Sequence, residues 1–592
     1  SVSGSTKSGD SGDDIHQFTG SLHISASRIT LTDGVGDNIG IGKNALLASN
    51  SGYSNIAIGN DTLRSGQGMY RNIAIGYGAL YAQTSTEIGS IAIGYTSQRY
   101  YTNSGGNGST SIGYESLLYN PAGGHNTAIG YRAMKGASGQ SHYYNTAVGS
   151  RAMDVITTGD SNVAVGMDAA GALTSGHRNI MIGRNSGATL TTQDDNVIIG
   201  YEAGNDTSGQ KAVIIGNYAG DDQSPTNAVI IGYRAGRVIQ GENTTAVGYD
   251  ALRFTTESDN TAVGAYALTA LVDGTNNTAL GISAGYRINK GDDSTFIGYK
   301  AGYQTTGSYN TFVGSNAGYG GTTPAPYSSG EGNTAVGYGA LDAFTTGNHN
   351  IAIGKDAAGA LTTGAYNIIL SPKTGNSGTS LGVTTGNSNV GIGYETLVPL
   401  TDGNSNVAIG TQAGMRVAGG DNNIIMGYQA GLNISSGGSN IIIGYRAADG
   451  GNVTNTTAIG YESLTASDGT GMNLALGFYT LRKLVKGEHT TALGNYAGYY
   501  ATGSYNTFVG HEAGKGGQTS APFSSGQYNT AIGYQALDGF TTATNNVAIG
   551  KSAASALTTG IQNVAIGRDA MLFATTVQKV VALGYRAGYS LT

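Results

Sequence analysis

The stretch NIAIGKDAAGALTTGAY, Asn350 to Tyr366, is followed at Asn367 by the start of another copy of itself. Its frame is Asn, then Ile, Val or Thr, then Ala, then Ile, Val or Leu, then Gly, two variable residues, a small residue, and a tail rich in Thr, Gly, Ser and Asn. The frame glycine recurs from Gly42, Gly59 and Gly76 through to Gly550, Gly567 and Gly584, with Ser371 in the one place where it is missing. This gives about 32 copies at a spacing near 17 residues. Self-similarity at a short fixed period defines a repeat architecture before any motif is consulted. It also makes the usual division of a 592-residue chain into globular domains inapplicable.

Within one copy the period is two. In Asn350-Ile351-Ala352-Ile353-Gly354 the isoleucines share one face and Ala352 points the other way, the signature of a short half-buried strand. A second short strand is expected over Lys355 to Leu361, where only a small side chain fits three places after the glycine. Thr-Thr-Gly turns such as Thr345-Thr346-Gly347 and Thr362-Thr363-Gly364 then close the coil, with glycine supplying a positive φ. The expected fold is all-β: a parallel β-solenoid in which each coil pairs in register with the next and like residues stack on like. The Asn that opens each copy would then form an amide ladder along the axis, the alternative being a plain Asx turn. Tyrosine follows the glycine in about half the copies, as at Tyr77, Tyr114, Tyr131 and Tyr445. It reads as a stacked aromatic row, with a sugar-stacking platform as the sharper alternative.

Composition narrows the function classes. Only 11% of residues are charged, against about 25% in ordinary soluble proteins, so the surface must be built from Thr, Ser, Asn, Gly and Tyr. Lys and Arg occur singly and the net charge is −7, which argues against a nucleic-acid-binding stripe. The chain has no Cys, so disulfides and thiolate metal sites are excluded. No apolar run reaches the length of a membrane span.

Residues 1–12 are polar and Gly/Ser-rich, and read as a flexible arm or linker. Residues 13–37 alternate in hydrophobicity (Leu22, Ile24, Ile29, Leu31) outside the repeat and read as a β cap or adaptor. From 38 to 592 the repeat runs as one continuous array, within which MDAAGALTSGHRN at Met167 recurs at Lys355 and Lys551 in related form. The start at Ser1 without Met and the stop in mid-repeat suggest a piece of a longer or processed chain. Three insertions leave the 17-residue metre, at 320–332, 372–388 and 516–528. Loops that leave a repeat fold tend to carry binding. Pro324, Pro326 and Tyr327 in the first, and Pro522 and Phe523 in the last, are the candidate receptor contacts, the alternative being that these loops only cover a seam or contact a neighbouring chain.

No motif carries catalysis. Gly281-Ile282-Ser283-Ala284-Gly285 fits the nucleophile pattern on paper, but Ser283 sits in the freely variable slot. Gly550-Lys551-Ser552 has Asn545 where a phosphate loop needs glycine. The eight histidines are scattered and read as solvated turn residues. The pairs Asp194-Asp195, Asp221-Asp222 and Asp292-Asp293 occupy turns without a calcium-loop pattern. No enzyme activity, metal or cofactor is expected.

Units such as SIAIG at Ser90, NTAIG at Asn529 and NVAIG at Asn546 resemble the coils of the YadA-like head domain of trimeric autotransporter adhesins, although the coils here are longer. NTAIGYQAL (Asn529 to Leu537), followed by Thr541-Thr542, resembles β-solenoid shafts of bacteriophage tail fibres, notably of marine phages. DDIHQFTGSLHIS (Asp13 to Ser25) is similar to the lead-ins of phage structural proteins. The resemblance implies a left-handed parallel β-roll, usually a homotrimer, that serves as a structural fibre for host attachment. It would lie outside the cell, on a virion surface or a bacterial cell surface. Its partners would be copies of itself, a host glycan or receptor, and neighbouring fibre or baseplate proteins, without nucleic acid or membrane insertion. The small Ala at the strand centre (Ala57, Ala74, Ala128, Ala352, Ala408) would let three chains approach closely. A secreted or cell-surface adhesin is the alternative. Ice binding is a more distant one, because the threonines cluster in turns rather than in a regular Thr-x-Thr row on one strand face.

Overall fold

The structure is a computed structural model. It describes residues 37–48, 52–65, 68–82, 89–101, 108–223, 225–321, 327–371, 385–398, 401–469, 471–517 and 523–591. The expected arm, nearly all of the cap, most of the insertion at 372–388, and Pro324, Pro326 and Pro522 lie outside these residues. The described residues contain no helix. They contain 32 strands of three residues, each starting just after the frame Asn position, and four of two residues.

The chain divides into two compact units, 1–276 and 277–592. In the first, 14 three-residue strands run from Ile39–Ile41 to Thr261–Val263, and in the second, 18 run from Thr278–Leu280 to Val581–Leu583. Within each unit, each three-residue strand pairs in parallel with the next copy's strand. Ile56, Ala57 and Ile58 lie opposite Ile73, Ala74 and Ile75 in the first unit, and Ile351, Ala352 and Ile353 lie opposite Ile368, Ile369 and Leu370 in the second. Each unit is therefore a parallel β-solenoid with one copy per turn.

The register is locked by the Asn row, which forms the expected ladder. The side-chain amide of Asn350 donates to Asn333 Oδ1 at 3.0 Å and to the Gly364 carbonyl at 2.9 Å. The Asn350 backbone N–H also donates to Asn333 Oδ1, and Asn367 repeats the pattern onto Asn350. These asparagines are at most 1% exposed. Burying so many amides is tolerable because every copy satisfies its neighbour.

The second strand expected after the glycine is present only in part: four coils of the first unit carry a two-residue strand at its end, Asp206–Thr207, Asp222–Gln223, Val238–Ile239 and Phe254–Thr255. In the copy at Asn350, Lys355 to Ala360 is a run of turns in which Asp356 (φ 53°) and Ala358 (φ 49°) are left-handed. The same two places are left-handed in other copies, as at Asp61 and Leu63 or Arg132 and Met134. Alternating hands narrow the coil while its amides still reach the neighbouring coil, as from Asp356 N to Tyr338 O and from Leu341 N to Ala357 O. That pairing offsets the roughly 1–2 kcal/mol a left-handed L-residue costs. The Thr-Thr-Gly expectation is corrected too. Gly347 and Gly364 do not have positive φ, and the left-handed corner residues are His349 (φ 56°) and Tyr366 (φ 60°). Glycine is needed at 347 and 364 because an added Cβ would lie 2.4 Å and 2.2 Å from the next coil's carbonyl oxygen.

The strand centre faces the interior. Ala57, Ala74, Ala128, Ala352 and Ala408 are fully buried, so the expectation that they line an approach between chains is wrong. Their smallness serves the thin core. Where the strand centre is Ala, the residue six places on is often Leu or Met, as in Ala57 with Leu63, Ala128 with Met134 and Ala335 with Leu341. Where the centre is large, that place is usually glycine, as in Phe312 with Gly318, Phe508 with Gly514 and Ile198 with Gly204, and Ile442 has Ala448 there. An ideal Cβ on Gly318 would sit 2.3 Å from the Phe312 ring. Constant core volume per coil is what close packing demands.

Candidate functional site

With the centre residue inside, the two flanking residues of every strand point outward. Across the 32 three-residue strands these flanking positions are only Ile, Val, Leu, Met or Thr. Many are more than a third exposed, among them Ile351, Ile353, Ile424, Met426, Ile441, Leu474 and Leu476. Beside them runs the tyrosine row. Tyr77, Tyr95, Tyr114 and Tyr131 stack at 5.1–5.4 Å between ring centres, and Tyr428, Tyr445, Tyr461 and Phe478 at 4.8–5.3 Å. Threonine also takes the first place of many strands, but none of the described three-residue strands reads Thr-x-Thr. Thr278, Thr295, Thr311 and Thr334 are paired in register as one strand column.

The insertion aromatics fold back on their own solenoid. Arg287 Nη1 donates to Tyr327 Oη at 2.5 Å, and the guanidinium lies 5.3 Å from the ring centre. Phe523 stacks on Tyr500 at 5.9 Å, with the Lys483 ammonium 5.6 Å from its ring centre. After the first and last insertions the chain rejoins the coil at a buried serine, Ser328 beside Thr305 and Ser524 beside Ala501.

Ser283 occupies a left-handed turn position (φ 57°) like its counterparts in other coils. Asp194 and Asp195 both lie against Arg178, at 3.7 Å and 2.6 Å, and the hydrogen bond from Arg178 holds Asp195 below its ordinary pKa. Asp221 and Asp222 lie near Arg237 at 3.8 Å and 3.6 Å, while burial pushes Asp221 up to about 6. Among the described residues no three such side chains form a metal-ligating group.

Several turn histidines stack on tyrosine, as His125 does on Tyr144 and His349 on Tyr366. His142 departs from the solvated-turn expectation. It is fully buried, neither ring nitrogen has a hydrogen-bond partner, and burial lowers its pKa to about 3. Nothing in the sequence marks it, since it lies in a polar stretch, SGQSHYYN. Its folded pKa lies below the unfolded value of 6.5. Its contribution to stability is therefore complete above pH 6.5 and is lost as the pH falls towards 3, by at most about 1.4 kcal/mol per pH unit. Chemical denaturation at pH 7, 5 and 4 should show the first unit losing stability more steeply than a His142→Leu variant. Parallel acid limbs would contradict this account.

The turn side of the second unit carries one further feature that sequence reasoning missed. A cavity of about 300 Å³ is lined by Leu432, Asn433, Arg446, Asp449, Gly450, Glu462, Thr465, Ala466, Arg482 and Lys483. These residues come from four successive coils, at the second, fifth and sixth places after the glycine. Those slots look freely variable in any single copy, so their convergence emerges only once the coils are stacked.

No protein-family model and no curated protein matches the chain. Among the described residues no helix is long and apolar enough to cross a membrane.

Proposed function

We propose that the chain is a structural fibre element for surface attachment that assembles with copies of itself, most naturally as a homotrimer, through the outward strand face. The observation that carries this reading is a face in which coil after coil presents two residues drawn only from Ile, Val, Leu, Met and Thr. Strand faces of this kind gain free energy by mutual burial, at roughly 25 cal/mol per Å² of apolar surface. A second copy presents a matching repeat at the same pitch. A phage tail fibre or other virion fibre is the first assignment, on the resemblance of the coils, and a bacterial cell-surface or secreted adhesin is the second. In sedimentation equilibrium the purified chain should behave as a trimer. The triple variant Ile424→Lys, Ile441→Lys and Leu474→Lys should sediment as a monomer with unchanged circular dichroism. A wild-type monomer at micromolar concentration would rule the reading out.

The threonine column at Thr278, Thr295, Thr311 and Thr334 favours one other reading, an ice-binding face. Thermal hysteresis at millimolar protein would support it, and its absence would dismiss it.

A further inference from the structure

Repetition explains most side chains of this molecule, but not the cavity around Asp449 and Glu462. Two carboxylates there are 5% and 7% exposed, a costly placement unless each is paired. Each is. Arg446 Nε donates to Asp449 Oδ2 at 2.6 Å, and Arg482 forms an ion pair with Glu462. Arg482 is held in turn by its hydrogen bond to Tyr499 Oη at 2.8 Å and by the Tyr479 ring, whose centre is 4.7 Å from the guanidinium.

The pairing leaves capacity unused. Among the described residues the Arg446 guanidinium makes no hydrogen bond beyond the one from Nε, and Arg482 Nε is buried without an acceptor. Lys483 has no carboxylate partner among the described residues, its ammonium facing only the Phe523 ring. The wall thus offers guanidinium donors, carboxylate acceptors, the Thr465 hydroxyl and the Asn433 amide, with one positive charge in excess. Carboxylates beside guanidinium forks bind hydroxyls that donate and accept at once. The surplus ammonium calls for an anionic group on the same ligand. A cavity of about 300 Å³ has room for a single six-membered sugar ring.

The geometry points to a binding site for one acidic sugar residue, a hexuronic acid. Its hydroxyls meet Asp449, Glu462 and the two arginines, and its carboxylate meets Lys483. The site is on the turn side of the second unit and contains none of the outward strand residues. It therefore stands or falls separately from the assembly face.

Saturation-transfer NMR on the full chain tests it, with galacturonate, galactose and inorganic phosphate as parallel arms. Galacturonate should give a saturable signal, with galactose and phosphate each at least about tenfold weaker, a difference of about 1.4 kcal/mol. Lys483→Met should weaken galacturonate at least about tenfold without changing the melting temperature, while Lys300→Met should leave it unchanged. Equal binding of phosphate or galactose, the same signal from Lys483→Met as from wild type, or no saturable signal from either free galacturonate or a polygalacturonate terminus would each overturn the proposal. The same galacturonic acid offered as a polygalacturonate terminus distinguishes a glycan end from the free sugar. Binding of either supports the site.

Discussion

Replacing Gly183 by Ala is expected to cost the first unit at least about 3 kcal/mol, from forbidden backbone and overpacking together. Gly183 has φ +135°, in a region essentially closed to side-chain-bearing residues, and its ideal Cβ would lie 2.2 Å from the carbonyl oxygen of Gly200 in the next coil. That oxygen belongs to the backbone and cannot swing aside. Strain and collision can be separated within the same unit. Gly139 is also left-handed, at φ +81°, but an added Cβ there meets nothing within 4 Å. Gly139→Ala should therefore cost only about 1 kcal/mol. Urea denaturation of the two variants checks the ordering, and equal losses would mean that the coils are not in contact at the glycine row. Ser371 is the natural counterpart. With a Cβ at this place in the frame, its φ is not positive, and its hydroxyl bonds to the Gly393 carbonyl instead.

Asn350→Ala is expected to destabilise the second unit by about 2–4 kcal/mol, because it orphans buried groups on both sides. The Gly364 carbonyl loses its donor, and the Asn367 backbone N–H and side-chain amide lose Asn350 Oδ1, which they reach at 3.0 Å. Asn350→Asp should be worse at neutral pH. A carboxylate would face Asn333 Oδ1, now 3.0 Å from the amide nitrogen, in a site 1% exposed. Protonation restores a donor, so the Asp variant should regain stability as the pH falls while the Ala variant does not. If Asn350→Ala melts like wild type, the ladder contributes nothing and the row is decorative.

The parts of the fold legible in the sequence are those carried by repetition itself. Ile351 and Ile353 alternate with Ala352, Asn recurs at one place, and Tyr follows Gly. Strand, ladder and aromatic row all follow from stacking like on like. The direction of the strand was not legible, because period two says that Ala352 and the isoleucines face opposite ways without saying which way is in. Core volume decides that. Phe312 with Gly318 and Ala57 with Leu63 fill the same space only if the strand centre points inward. The turn run at Lys355 to Ala360 was hidden for a different reason. Left-handed leucine and methionine, such as Leu63 and Met134, contradict their own propensities and are stable only through the neighbouring coil's hydrogen bonds. The cavity was hidden because Arg446, Asp449, Glu462 and Arg482 meet through stacking of separate copies, and His142 because burial there has no local signature. Tyr327 and Phe523 were legible as insertion residues but not as side chains that turn back onto Arg287 and Tyr500.

In-register stacking of successive copies underlies all of this, and a chain without cysteine allows a direct test. Neighbouring strands lie about 4.8 Å apart, within the roughly 4.4–6.8 Å between Cα atoms that a disulfide spans. Ile351 and Ile368 are register partners, whereas Ile369 is the partner of Ala352. Under mild oxidation the double variant Ile351→Cys/Ile368→Cys should form an intramolecular disulfide, read by mass spectrometry after proteolysis, while Ile351→Cys/Ile369→Cys should stay reduced. Equal crosslinking of the two pairs, or crosslinking of the shifted pair alone, would contradict the account.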